Sequence, residues 1–223
     1  MEYFDKQKGT EEWAMLGYCD EEAALSRYSL IRNILRTDHN VSPMVFSNVA
    51  DIGAGVGLMW KAWDSYKPSL VYELKTRGLK YVVLIEPLEK YQRLLFFNTS
   101  EAIGRYANLN YLVHRGGAID LPRIEPNGFD LIIEIGALNF HPVYKFYQFM
   151  EAMIAATNKV LIFETNFQTP KTPISDFLNY NPSFDVIYNF LFERFRRVRV
   201  DIIRQYTSIW TCIDPGDYTL KKR

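Results

Sequence analysis

Apolar and polar positions along this chain alternate with two periods, and the switches between them mark out its elements. From Glu11 to Leu35, Trp13, Leu16, Ala23, Ala24, Tyr28, Ile31 and Leu35 recur every three or four residues, with a break near Gly17. This predicts two N-terminal helices. The apolar run Phe46 to Ile52 predicts a buried strand, and helical spacing follows over Leu58 to Tyr66 and Leu70 to Gly78. Further strands are predicted at Tyr81 to Ile85, Leu109 to His114, Asp130 to Ile135 and Lys159 to Glu164. Helices are predicted at Glu89 to Tyr106 and Val143 to Ala156, with a polar stretch from His114 through Asn127. Such strand-helix alternation implies a parallel sheet with helices on both faces. The end of the chain breaks the rhythm. A helix over Phe184 to Phe195 leads into Arg197 to Arg204 and Thr207 to Ile213, two runs rich in β-branched and aromatic residues that read as an antiparallel hairpin. Gln168 to Pro182, with three prolines, reads as a loop or lid on the substrate side.

A chain of 223 residues, 48% of them hydrophobic, is expected to form one domain over 1–223 with a helical cap up to about residue 40. Lysine plus arginine and aspartate plus glutamate both number 26, so no global field gathers polyanions and nucleic acid is not an expected partner. Cys19 and Cys212, with His39, His114 and His141, show no metal-ligand spacing, and no metal is expected. The cysteine usage fits a reducing, cytoplasmic setting. No stretch approaches the roughly 20 apolar residues of a membrane span, so no membrane partner is expected. Aromatic residues make up 15% of the chain, enough either to fill the core or to line a pocket for an aromatic substrate.

Chemistry concentrates where the first predicted strand ends, in Asp51-Ile52-Gly53-Ala54-Gly55-Val56-Gly57. A glycine loop between a strand and a helix lets the backbone approach a nucleoside. In a dinucleotide fingerprint the third glycine follows the second by three residues, but Leu58 stands there and the glycine comes at Gly57. The tighter acid-x-Gly-x-Gly-x-Gly form resembles the first motif of class I S-adenosylmethionine-dependent methyltransferases. The resemblance implies a Rossmann-like α/β fold: a seven-stranded, mostly parallel sheet with helices on both faces and a C-terminal antiparallel hairpin, its seventh strand beside the fifth.

It also implies S-adenosylmethionine as cofactor, with S-adenosylhomocysteine as product. Gly53, Ala54, Gly55 and Gly57 would wrap its methionine part, while Asp51 would either brace the loop or accept from the ammonium. Glu86, before Pro87 at the second strand end, would accept from the ribose hydroxyls. At the third strand end, Gly117 stands where the family commonly has an acid for the adenine amino group; the backbone of Ala118 or Ile119 could still meet a ring nitrogen, and Asp120 could either supply a carboxylate or cap the loop. The Asp130-led fourth strand runs into the expected active-site loop, where Glu134, in an apolar setting, needs a partner or the cofactor and Gly136 permits close approach. Arg27, on the helical cap, could fork onto the cofactor carboxylate or stay solvated.

Methyl transfer rests mainly on positioning. His141 could take a proton from the acceptor or start the next helix, and Asn139 could orient the acceptor or cap that helix. The Asn/Asp-Pro-Pro-aromatic tetrad of base-amino methylation is absent after the fourth strand, where Ala137-Leu138-Asn139-Phe140 stands; Asn181-Pro182-Ser183-Phe184 lies beyond the fifth. Arg194, Arg196, Arg197 and Arg199 form a basic cluster that reads either as a contact for phosphate or acidic groups or as a solvated face paired with nearby acids. The expected function is methyl transfer to a small molecule or a peptide residue. The rivals are a catalytically silent scaffold of the same fold and a nicotinamide-dependent oxidoreductase.

Overall fold

Strand ends, not strand middles, decide where chemistry can occur in a parallel sheet, and the first three strands here end level. The computed structural model describes residues 21–61, 69–105, 108–140, 143–166, 182–204 and 207–216. Contacts divide the chain into two compact units, Met1–Gly117 and Ala118–Arg223. In the first, β1 (Asn48–Ile52), β2 (Tyr81–Ile85) and β3 (Asn110–His114) pair in parallel. Ile52 is opposite Ile85, and Ile85 is opposite His114, so the glycine loop, Glu86 and Arg115 leave the sheet side by side. Both faces of β1 and β2 are covered, which suits runs such as Val82-Val83-Leu84-Ile85.

Among the described residues this unit has three helices: α1 (Glu21–Thr37), α2 (Leu70–Lys75) and α3 (Glu89–Gly104). Ile31, Ile34 and Leu35 of α1 are fully buried. Its last turn is held by buried Glu73 of α2, which accepts from Arg36 Nη2 at 2.7 Å and lies 3.7 Å from the Nε atoms of Arg32 and Arg77. Arg77 also donates to the Ser42 and Leu35 carbonyls, at 2.6 and 2.7 Å.

The second unit opens with a 3-10 turn, Ala118–Asp120, and the short α4 (Leu121–Ile124). Then come β4 (Phe129–Ile135), a second 3-10 turn (Ala137–Phe140), α5 (Val143–Ala155), β5 (Thr157–Asn166), α6 (Phe184–Phe192), β6 (Phe195–Arg204) and β7 (Thr207–Pro215). β4 and β5 are parallel, and β7 lies antiparallel between β5 and β6, with Phe163 stacked on Trp210 across that register. The seven strands follow the order β3-β2-β1-β4-β5-β7-β6. This is the expected sheet, with the seventh strand beside the fifth.

Local departures have local causes. Leu58 to Trp60 are turns and not the start of a helix: Gly57 N–H donates to the Ala54 carbonyl and Trp60 N–H to Gly57, both at 3.0 Å, with Gly55 and Gly57 in the left-handed region. The expected continuation over 62–66, the first N-terminal helix, Cys19 and nearly all of the Gln168 to Pro182 loop lie outside the described residues. Phe46 is buried but precedes β1, its N–H donating to the Arg77 carbonyl. The stretch to Asn127 conceals α4, where Pro122 occupies a first-turn position that a helix tolerates. β6 begins at Phe195, where helix α6 was expected to end, because Arg194 N–H closes a turn onto Leu191.

Candidate functional site

The glycine loop is built from backbone that no other residue type enters easily. Gly53, Gly55 and Gly57 have φ of 70°, 57° and 77°, values that cost an L-residue roughly 1–2 kcal/mol. Gly53 and Ala54 donate to the Ile85 carbonyl at 2.8 and 3.0 Å, tying the loop to the end of β2. Glu86 holds the next section: Oε2 accepts from Gly55 N–H and Oε1 from Leu88 N–H, each at 2.9 Å. On the other side, Asn98 of α3 donates to the Val56 carbonyl at 2.6 Å. Gly57 serves packing: a Cβ there would stand 2.7 Å from Leu95 Cδ1 and 3.1 Å from Thr99 Cγ2. Ala24 of α1 joins Val56, Leu58 and Tyr91 in one buried cluster, with Leu88 against it. The helical cap therefore touches the loop, and Arg27 lies on it, partly buried.

Asp51 is 1% exposed, and Trp60 donates its indole N–H to Oδ2 at 2.6 Å. The loop-bracing role is thus present in the structure. Burial pushes the Asp51 carboxyl up to about 7; the indole bond opposes this and the charge of Glu86 adds to it. Glu86, 5% exposed, is likewise pushed up to about 7 by burial, against the two backbone donors. Two acids held near neutrality at adjacent strand ends favour a ligand that brings positive charge or hydroxyl donors. Pro87 follows Glu86, and Gln92 fixes the turn by donating to the Glu86 carbonyl at 3.0 Å.

Trp60, Asn98, Gln92 and Leu88 were not singled out from sequence. Trp60, one turn beyond the last glycine, could have been found: a buried acid at a strand end requires a donor, and Trp carries one.

In the second unit, Glu134 is 1% exposed and Oε1 accepts from Leu138 N–H at 2.8 Å. The acid at the end of β4 thereby closes the turn Ala137–Phe140, with Gly136 at φ 83° leading in. Asn139 belongs to that turn; its side chain and all of His141 lie outside the described residues. Ala118 is buried, Ile119 is 53% exposed, and Asp120 pairs with Arg123 at 3.2 Å. In the basic cluster, Arg194, its side chain only 20% exposed, reaches Glu151 at 2.7 Å, and Arg199 reaches Asp201 at 2.9 Å, so both pair with nearby acids. Cys212 is buried, which pushes its thiol upward. Among the described residues there is no group of three or more metal-ligating side chains, and no helix is long and apolar enough to cross a membrane.

No protein-family model and no curated protein sequence matches this chain. Solved structures do. Magnesium protoporphyrin IX methyltransferase (ChlM) from Synechocystis PCC 6803 with bound SAM superposes with a TM-score of 0.63 at 16% identity, covering 96% of this chain and 94% of that one. The PH0226 protein from Pyrococcus horikoshii OT3 gives 0.61 at 15% identity, covering 97% and 99%. The N-methyltransferase NodS from Bradyrhizobium japonicum WM9 gives 0.54 at 11%, covering 85% and 98%. With the strand order and the hairpin, these likenesses show that the chain has the fold of the class I S-adenosylmethionine-dependent methyltransferases.

Proposed function

We propose that this chain binds S-adenosylmethionine at the glycine loop and transfers its methyl group to a small molecule or a peptide residue. The observation that carries this reading is the pair Asp51 and Glu86, two buried carboxylates held near neutrality beside a loop of left-handed glycines. A ligand with an ammonium and a ribose diol supplies what each acid lacks. Asp51, oriented by Trp60, takes the ammonium; Glu86, oriented by Gly55 and Leu88, takes the ribose hydroxyls on its remaining lone pairs. Gly53, Ala54, Gly55 and Gly57 border the methionine part, and Pro87 follows at the ribose end. Arg27 is the candidate for the cofactor carboxylate.

When bound, the cofactor supplies a sulfonium methyl, already electrophilic. The residues of the chain then have to hold the acceptor in line and take its proton. Asn139 is assigned to orientation and His141 to proton removal, while Glu134 keeps the Ala137–Phe140 turn closed. Ala118 and Ile119 offer backbone to the adenine. A reducing, cytoplasmic setting fits the cysteine usage.

Gly117, where the family commonly has an acid, favours a second reading: a silent binder of the same cofactor. Titration calorimetry with S-adenosylhomocysteine tests the binding claim, with Gly55→Asp as the non-binding control; absence of binding by the unaltered protein removes both readings. Transfer of labelled methyl groups into a cell extract, lost in His141→Ala, separates the enzyme from the silent binder.

A further inference from the structure

The face of α3 away from the sheet is as ordered in chemistry as the buried one. Tyr91, Leu95 and Ala102 point inward, while Lys90, Arg93, Leu94, Phe97, Glu101 and Gly104 are exposed. Phe97 is 72% exposed and Leu94 51%. Scattered apolar residues on a surface are ordinary, but these continue into a patch. Phe96, 54% exposed, rests on Tyr111 of β3 with ring centroids 5.7 Å apart, and β3 stands at the end of the strand order. Contiguous apolar surface of this kind marks interaction sites.

We propose that this face is an isologous interface between two copies of the chain, with α3 packed antiparallel on its twin about Phe97. Under a twofold axis, residue i meets j and j meets i, so the surface must complement itself, and it does so in charge and in size. With Phe97 at the axis, Lys90 and Arg93 in the first half of the helix come beside the partner's Glu101 in the second half. Within one chain Glu101 pairs with Arg105 at 2.8 Å, but with side chains 62% and 56% exposed that pair is weak and can exchange. The bulkier Lys90 and Leu94 fall against the half that carries Ser100 and Gly104, where an added Cβ would meet nothing within 4 Å. The antiparallel arrangement also sets opposite helix dipole ends together. The exposed phenylalanines and leucine form the apolar centre of the contact, and the charges form its rim.

Sedimentation equilibrium of the full chain over a concentration series tests the proposal. The expected result is a reversible species of twice the 26.1 kDa chain mass. Phe97→Asp abolishes it while circular dichroism stays unchanged and the thermal midpoint matches that of the parent at concentrations where the parent is monomeric, since the side chain is exposed. Arg93→Glu alters this contact in both halves of the twofold interface and raises the dissociation constant about tenfold, and adding Glu101→Arg restores it. A monomer at every concentration overturns the proposal, as does a dimer indifferent to Phe97→Asp. A double variant no tighter than Arg93→Glu alone overturns the antiparallel register. All of these readouts are independent of cofactor binding and methyl transfer.

Discussion

Replacing Gly57 by alanine tests whether the last glycine of the loop is a packing residue. The added Cβ meets two separate costs. Its backbone sits at φ 77°, which costs an L-residue about 1–2 kcal/mol. Its methyl would lie 2.7 Å from Leu95 Cδ1 and 3.4 Å from the Leu95 carbonyl oxygen. Leu95 is fully buried and has little room to turn, so the clash adds about 1–2 kcal/mol, the lower part of the range for overpacking. Together these amount to roughly 3 kcal/mol, a fall in thermal midpoint of about 6–12 °C for a chain of this size. Gly104→Ala is the internal control. It lies in the last helical turn with open space around it, and should gain up to about 1 kcal/mol. Differential scanning calorimetry of the two variants beside the parent gives the comparison. Equal midpoints for both variants would refute the packing argument, as would a Gly57→Ala protein that melts normally but no longer binds S-adenosylhomocysteine.

Trp60→Phe removes the indole donor from Asp51 and should cost about 1–3 kcal/mol in urea unfolding at pH 7. The cost should shrink at pH 5, where burial keeps Asp51 protonated. Because burial lifts Asp51 and Glu86 to about 7, the folded chain retains protons that the unfolded chain releases above about pH 4. Ligand-free stability should therefore fall as pH rises from about 4 to 7 and level off beyond; thermal midpoints that rise through that window would contradict the assignment. Glu73→Gln should cost about 2 kcal/mol, since Arg32, Arg36 and Arg77 lose their shared anion, and proteolysis should then cut first within α1.

The sheet was legible because period and apolar content change together. Tyr81 to Ile85 is bounded by Lys80 and Glu86, and no helical reading of so short a β-branched run competes with it. The terminal hairpin was legible for the same reason, and it discriminated between nucleoside-binding folds because an antiparallel seventh strand is a topological statement. Glycine spacing located the loop but not its mechanics. Periodicity is blind to turns held by single bonds, so Leu58 to Trp60 read as helix, although left-handed glycines on either side of Val56 prevent the helix from starting there. The bracing residues were illegible for a different reason. Asn98 and Gln92 lie on α3, far along the chain from the loop they secure, and only the fold brings them to the Val56 and Glu86 carbonyls.

A buried carboxylate at a strand end contributes little that an apolar residue of similar size could not, so two of them together need a reason beyond stability. Asp51 and Glu86 have one. Each already holds its partners in the ligand-free chain: an indole for Asp51, two backbone N–H groups for Glu86. Each oxygen keeps a further lone pair, so a ligand adds to these bonds instead of displacing them, and the wall it meets is already formed. A ligand that brings an ammonium to Asp51 and hydroxyl donors to Glu86 also draws both acids toward the ionised state. Affinity for S-adenosylhomocysteine should then rise with pH through the window in which ligand-free stability falls. Opposite slopes in the two measurements would tie both acids to the ligand, whereas parallel slopes would reduce them to struts of the loop.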